Sequence, residues 1–171
     1  EPPRALGEFA LTDHRGAVFN PERLRGQWTY MFFGYTHCPD ICPTTLTSLN
    51  AAARAIAALP DAPPVPQYVF VSIDPERDTP EQLSKFVPYF NRDFLGVTGT
   101  SDAIAEFTRQ LSVMYLKVNG ERGDGYLMDH SAAILLLDPQ GRFHALFSPP
   151  FDPRAMAEDY LHLTAYYEAI Q

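Results

Sequence analysis

Two apolar runs, each followed by a helical pattern, constrain the fold of this chain more than any other feature. Residues 28–34 (WTYMFFG) and 68–73 (YVFVSI) are rich in aromatic and β-branched residues, which is typical of buried strands. After the first run, apolar residues recur at helical spacing between residues 46 and 56, and the helix must end before Pro60. After the second run, TPEQ at residues 79–82 is a capping box with proline at the first helical position. The sequence therefore predicts strand, helix, strand, helix.

The rest of the chain predicts further elements, including a hairpin near each end. A third strand, a third helix and a final helix are predicted at residues 94–97, at residues 101–111 and from residue 152. Each hairpin consists of two strand-like segments joined by a four-residue turn that ends in glycine. In the first, the turn DHRG joins residues 8–12 to residues 17–20. In the second, the turn DPQG joins residues 132–137 to residues 142–147. This order predicts an α/β, thioredoxin-like fold: a central mixed sheet flanked by helices, with an N-terminal β-hairpin extension.

Length and charge limit the classes of protein and partner. A chain of 171 residues without internal repeats suits a single domain spanning residues 1–171, and we expect a monomer. The net charge of −8 argues against nucleic acid and anionic membranes as partners, because both bind basic patches. The first residues are polar and no apolar run is long enough to cross a membrane. We therefore expect any N-terminal anchor or signal to be absent from this chain.

The only two cysteines, Cys38 and Cys42, lie where the first core strand passes into its helix. Three residues separate them, whereas paired redox cysteines are usually separated by two. Because proline disfavours helical geometry in the preceding residue, we expect regular helix to begin near Pro43. A helix N-terminus favours the thiolate form of nearby cysteines. The two sulfurs can then form a disulfide or converge on a soft metal ion such as Cu(I) or Zn(II).

A third metal ligand is most readily supplied by His130. It immediately precedes the strand predicted at residues 132–137, and in a thioredoxin-like fold that loop faces the cysteine loop. Redox members carry a cis-proline there, but no proline occurs between residues 89 and 138. The other histidines are interpreted as a surface or supporting residue beside the cysteines (His37), a solvated turn residue (His14), an exposed strand residue (His144) and a residue of the final helix (His162).

Four motifs occur in an order and spacing that closely resemble the Sco/SenC family of copper-binding, thioredoxin-like proteins. They are GYT at residues 34–36, CPDICP at 38–43, SIDPERDTP at 72–80 and DHS at 129–131. The resemblance extends from about residue 9 to the final helix. One departure is the strand after His130, which reads AAILLL and lacks the aromatic residue that many members carry.

The resemblance implies a copper metallochaperone for the dinuclear copper site of cytochrome c oxidase. It implies Cys38, Cys42 and His130 as ligands of Cu(I) and Cu(II). It also implies two partners, the copper-centre subunit of the oxidase and a copper donor protein. The expected location is the periplasmic side of the bacterial inner membrane, with an anchor, or the mitochondrial intermembrane space.

Two other functions use the same cysteines. A thiol–disulfide oxidoreductase would keep the oxidase cysteines reduced. The Pro-Thr-Thr after Cys42 also resembles, more faintly, the first helical turn of a peroxidase of the peroxiredoxin type. We also expect residues 74–79 to form a turn in which Thr79 caps the next helix. In that turn, Arg77 and Asp78 are expected to pair with each other or with Glu76.

Overall fold

A computed structural model of the protein describes residues 5–37, 41–61, 63–111 and 133–171. Seven strands are found in this part of the chain: β1 Leu11–Asp13, β2 Val18–Phe19, β3 Thr29–Gly34, β4 Gln67–Ser72, β5 Phe94–Thr98, β6 Ile134–Leu137 and β7 Phe143–Phe147. The α-helices of the same residues are α1 Ile41–Ala57, α2 Pro80–Phe90, α3 Ser101–Gln110 and α4 Pro153–Ala169. A short 3-10 helix, Pro21–Arg23, precedes β3.

The strands form one mixed sheet in the order β2-β1-β5-β4-β3-β6-β7. The three central strands, β3, β4 and β5, run parallel, and Gly34 at the end of β3 pairs with Ser72 at the end of β4. The C-terminal hairpin adds β6 antiparallel to β3, while the N-terminal hairpin adds β1 antiparallel to β5. The predicted thioredoxin-like architecture and the hairpin extension are therefore confirmed.

Both faces of the central strands are buried, which explains why β3 is apolar at almost every position. On one face, Tyr30, Phe32 and Phe70 belong to a core cluster that also contains residues of α1, α2 and α4. On the other, Met31 and Phe33 belong to a cluster with residues of α3 and the N-terminal hairpin. The sheet is thus a layer between two cores, and its strand ends are fixed from both sides.

Side chains at the first turns set where the helices begin. The Thr79 hydroxyl accepts a hydrogen bond from the Gln82 N–H (3.1 Å), as the capping box predicted. Asp152 caps α4 by accepting from the backbone N–H groups of Arg154 (3.0 Å) and Ala155 (3.2 Å). Helix α1 begins at Ile41, two residues before the predicted start. Proline is tolerated in the first helical turn, where its missing N–H would have no intrahelical partner.

Two histidines are more enclosed than the sequence predicted. His14 is not a solvated turn residue, because its Nδ1 accepts a hydrogen bond from the Gly96 N–H (2.9 Å). His144 is not an exposed strand residue: its side chain is only 15% exposed and lies 3.7 Å from the Asp138 carboxylate. The His144 ring also packs edge-on against Trp28, with centroids 5.1 Å apart. In both cases the covering partner is distant in sequence: Gly96 of β5 for His14, and Trp28 immediately before β3 for His144.

Candidate metal centre at the end of the parallel strands

The candidate site lies at the carboxyl ends of β3 and β4, where the chain leaves the sheet. Binding sites of parallel sheets commonly form at this edge, because the loops that follow the strands meet there. From Gly34 the chain continues through Tyr35, Thr36 and His37 towards the cysteine stretch and α1. Ser72 and the segment that leads to α2 follow the neighbouring strand.

Cys42 occupies the first turn of α1 and is completely buried. Its sulfur lies so close to β3 that a Cβ added to Gly34 would come within 2.7 Å of it, and within 2.9 Å of the Phe70 ring. Only a residue without a side chain fits at the end of β3, so Gly34 allows the sulfur to approach the strand. The Cys42 sulfur, a type of donor that soft metal ions prefer, therefore has a defined place beside the sheet.

The other two predicted ligands, Cys38 and His130, lie outside the described residues. No group of three or more His, Cys, Asp or Glu side chains that could hold a metal ion occurs within the part of the chain that the structure describes. The three-ligand set consequently stays a prediction, of which the structure positions one member.

Asp78 holds the segment that leads into the cysteine stretch. Its side chain is 0% exposed, and one carboxylate oxygen accepts hydrogen bonds from the Thr36 N–H (2.9 Å) and the Ser72 hydroxyl (2.7 Å). The second oxygen accepts from the Thr36 hydroxyl at 2.5 Å. One buried side chain thus connects the loop after β3, the end of β4 and the entry to α2.

His37 is half exposed beside this network. Its Nδ1 lies 3.3 Å from the Thr36 hydroxyl oxygen and 4.0 Å from the Asp78 carboxylate. Its exposure agrees with the prediction of a surface or supporting residue next to the cysteines.

The predicted pairing of Arg77 and Asp78 is wrong. Arg77 forms an ion pair with Asp74, and its guanidinium lies 5.9 Å from the centroid of the Tyr35 ring. Asp78 turns inwards because the tight turn places its N–H on the Asp74 carbonyl (2.9 Å) and its carboxylate against Thr36 and Ser72. The role of Asp78 was not predicted: the residue belongs to the SIDPERDTP motif, but it was interpreted only as part of a turn, because an acidic residue directly before a capping threonine is usually exposed.

The remaining histidines of the described residues lie elsewhere. His144 contacts Trp28, which precedes β3, so it lies at the opposite end of this strand from Gly34. His14 contacts Gly96 of β5, and His162 is exposed on α4. A membrane-spanning helix, long and apolar enough to cross a bilayer, is not found among the described residues either.

Comparisons with known proteins agree with the motifs. The family model described as SCO1/SenC matches residues 1–165. The mitochondrial SCO2 homolog of Bos taurus is 43% identical over 142 residues, which cover 83% of this chain and 53% of the bovine protein. The chain therefore spans about half the length of this curated relative.

Two solved structures share the fold over nearly the whole chain. The crystal structure of Arabidopsis thaliana ScoI with copper bound has a TM-score of 0.79 and 31% identity, covering 94% of this chain and 99% of that one. The structure of Bradyrhizobium japonicum ScoI with copper bound has a TM-score of 0.74 and 35% identity, covering 93% and 99%. On the family model and these similarities, the chain belongs to the SCO1/SenC family.

Proposed function

We propose that this protein is a copper metallochaperone that delivers copper to the dinuclear copper site of cytochrome c oxidase. Sco proteins are involved in copper handling for the assembly of this oxidase, and the two similar structures described above contain copper. The single observation that carries the proposal is the place of Cys42, whose buried sulfur lies in the first turn of α1 against Gly34.

In the proposed site, Cys38, Cys42 and His130 bind the copper cargo. Two thiolates and an imidazole suit Cu(I), and water or a carboxylate can complete the coordination of Cu(II). The ligands must be deprotonated and the cysteines reduced, so copper binding competes with a Cys38–Cys42 disulfide. We propose a copper donor protein upstream and the copper-centre subunit downstream. The proposed location is the periplasmic side of the bacterial inner membrane or the mitochondrial intermembrane space.

The test is a Cu(I) titration of the reduced protein in competition with a chromogenic chelator. We expect about one tightly bound Cu(I) per chain, and weaker binding after His130→Ala or Cys42→Ser because each variant removes one of three donors. His162→Ala is the matched control, since it removes an exposed imidazole from α4. Full-strength binding by the His130→Ala protein would contradict the three-ligand proposal.

The buried position of Cys42 also favours a second candidate function, that of a thiol–disulfide oxidoreductase. The Cys38 thiolate would attack a partner disulfide and form a mixed disulfide with one of its sulfurs. The Cys42 thiolate would then attack the Cys38 sulfur, which releases the partner as a dithiol and leaves the Cys38–Cys42 disulfide. A completely buried thiol suits the second, intramolecular step. Reduction of an oxidised copper-centre peptide by the His130→Ala protein at the wild-type rate would favour this function.

A further inference from the structure

Asp78 is a buried carboxylate that binds the loop before Cys38 through hydrogen bonds. A carboxylate removed from water is costly unless hydrogen bonds compensate it. Asp78 accepts three, two of them from Thr36 and one from Ser72, and its side chain is 0% exposed. Thr36 is 42 residues away along the chain and only two residues before Cys38. The carboxylate thus connects a site-forming loop to a distant turn.

The contact fixes the backbone as well as the side chain of Thr36. Its N–H and its hydroxyl donate to different oxygens of the same carboxylate, at 2.9 and 2.5 Å, so the residue cannot rotate without losing one of these bonds. Ser72 is itself held, because its hydroxyl oxygen accepts from the Asp74 N–H at 3.1 Å. The loop is therefore held at two places: Gly34 pairs with Ser72 in the sheet, and Thr36 is linked to Ser72 through the Asp78 carboxylate.

We propose that Asp78 is a positioning residue: by holding Thr36 it supports the copper binding and the disulfide formation of the Cys38–Cys42 pair. Cys42 is fixed by α1 and Gly34, and Asp78 fixes Thr36 in the chain segment that leads to the other cysteine. The expected effect on copper binding rests on the proposed function. The expected effect on the disulfide does not rest on it, because the stability of a disulfide depends on the distance between its sulfurs whether or not copper binds.

The decisive comparison is between Asp78→Ala and Asp78→Asn. Alanine removes both acceptor oxygens and with them all three hydrogen bonds. Asparagine keeps the shape: its carbonyl oxygen can accept from the Thr36 N–H and the Ser72 hydroxyl, and its amide can donate to the Thr36 hydroxyl oxygen. If positioning by hydrogen bonds is the role, Asp78→Asn keeps the wild-type properties and Asp78→Ala loses them. An equal loss in both variants would assign the effect to charge and overturn the proposal.

Asp138→Ala is the matched control. Asp138 is also 0% exposed and accepts from the Gln140 and Arg142 N–H groups at 2.9 and 3.1 Å. It lies at the opposite end of the sheet, because Leu137 pairs with Thr29 at the start of β3. Its loss should lower the melting temperature without moving the cysteine loop, so it separates a general loss of stability from a local loss of position.

Two readouts are measured on the wild type and all variants: Cu(I) affinity by chelator competition, and the reduction potential of the Cys38–Cys42 pair in a glutathione buffer. For Asp78→Ala we expect Cu(I) affinity to fall about 10- to 100-fold, the usual effect of losing a group that orients metal ligands. We also expect a less negative potential, because a looser loop weakens the disulfide. Asp138→Ala should change neither quantity.

The remaining outcomes are also decisive. If Asp78→Ala does not fold, Thr36→Val and Ser72→Ala, which each remove one hydroxyl from the network, should shift both readouts in the same direction by less. No shift in either variant would overturn the proposal, as would equal values for Asp78→Ala and Asp138→Ala. If the wild type binds no Cu(I), the proposed function fails, and the reduction potentials alone decide the role of Asp78.

Discussion

At the scale of single residues, two contacts position the described part of the site. Gly34 leaves room for the Cys42 sulfur, and Asp78 holds Thr36 by its backbone and its hydroxyl. Each contact joins residues that are distant in sequence but adjacent where β3 and β4 end. The positions of Cys42 and of the loop before Cys38 therefore depend on residues outside the proposed ligand set.

Gly34→Ala should both destabilise the protein and weaken copper binding. The new Cβ would meet the Cys42 sulfur at 2.7 Å and Phe70 at 2.9 Å, so the first turn of α1 must shift. Overpacking of this kind costs about 1–3 kcal/mol, measurable by urea unfolding. Gly7→Ala is the control, since the nearest atom to its Cβ is at an ordinary 3.5 Å. Unchanged stability and copper affinity in Gly34→Ala would contradict the close approach.

His14 should make stability depend on pH. Burial, and then the nearby positive charge of Arg15, lowers the pKa of His14 below its usual value of 6.5. As the pH falls through 6.5, His14 takes up a proton in the unfolded chain before it does so in the folded protein. The folded state therefore loses stability until the pH reaches the pKa of His14 in the folded protein. His14→Asn keeps an acceptor for the Gly96 N–H but does not titrate.

The measurement is urea unfolding at about pH 7.5 and about pH 5.5, on either side of the ordinary histidine pKa. The wild type should lose more stability between these values than His14→Asn does. His162→Asn, at an exposed position, should behave as the wild type. An identical loss in the wild type and in His14→Asn would show that His14 does not titrate as its burial predicts.

At the scale of elements, the sequence predicted most of the described structure because strong local signals agree with the tertiary fold. The apolar runs became β3 and β4, the capping threonine opens α2, and both glycine-terminated turns form hairpins. Helix α1 begins two residues before the predicted start. The prediction used the preference of a residue before proline for non-helical geometry, but proline is also tolerated in the first turn of a helix. The burial of His14 and His144 comes from residues that are distant in sequence, Gly96 for His14 and Trp28 and Tyr167 for His144, so local patterns could not predict it.

The N-cap of α4 allows a direct test of how much a single capping side chain stabilises a helix. Asp152→Ala should lower the free energy of unfolding by about 1 kcal/mol, because two backbone N–H groups lose their acceptor. Asp152→Asn should cost much less, since asparagine caps helices comparably. Chemical denaturation followed by circular dichroism measures both. Equal losses in the two variants would mean that the charge of Asp152, and not its capping geometry, stabilises the helix.

At the scale of the whole molecule, the two cores share one sheet, and this supports the proposal of a single domain over residues 1–171. Strand β3 contributes Phe32 to one core and Phe33 to the other, so neither core can unfold without disturbing the other. We predict one calorimetric transition, with equal van't Hoff and calorimetric enthalpies. Two separate transitions would contradict a single cooperative unit.

The candidate site was less predictable than the fold for a physical reason. Cys42 could be identified from its spacing and its place at a helix N-terminus, since both are local. The role of Asp78 depends on the burial of a carboxylate beside Thr36, which only the folded chain determines. Cys38 and His130 were predicted from motif order and resemblance, and they lie outside the described residues.

The central claim is that Cys38, Cys42 and His130 together bind copper. X-ray absorption at the copper edge of the Cu(I)-loaded protein tests it most directly, because the method identifies the donor atoms. The account predicts two sulfur donors and one imidazole nitrogen in the wild type, with loss of the imidazole signal in His130→Ala and of one sulfur in Cys42→Ser. A copper site without sulfur, or one that keeps its imidazole in His130→Ala, would contradict the account.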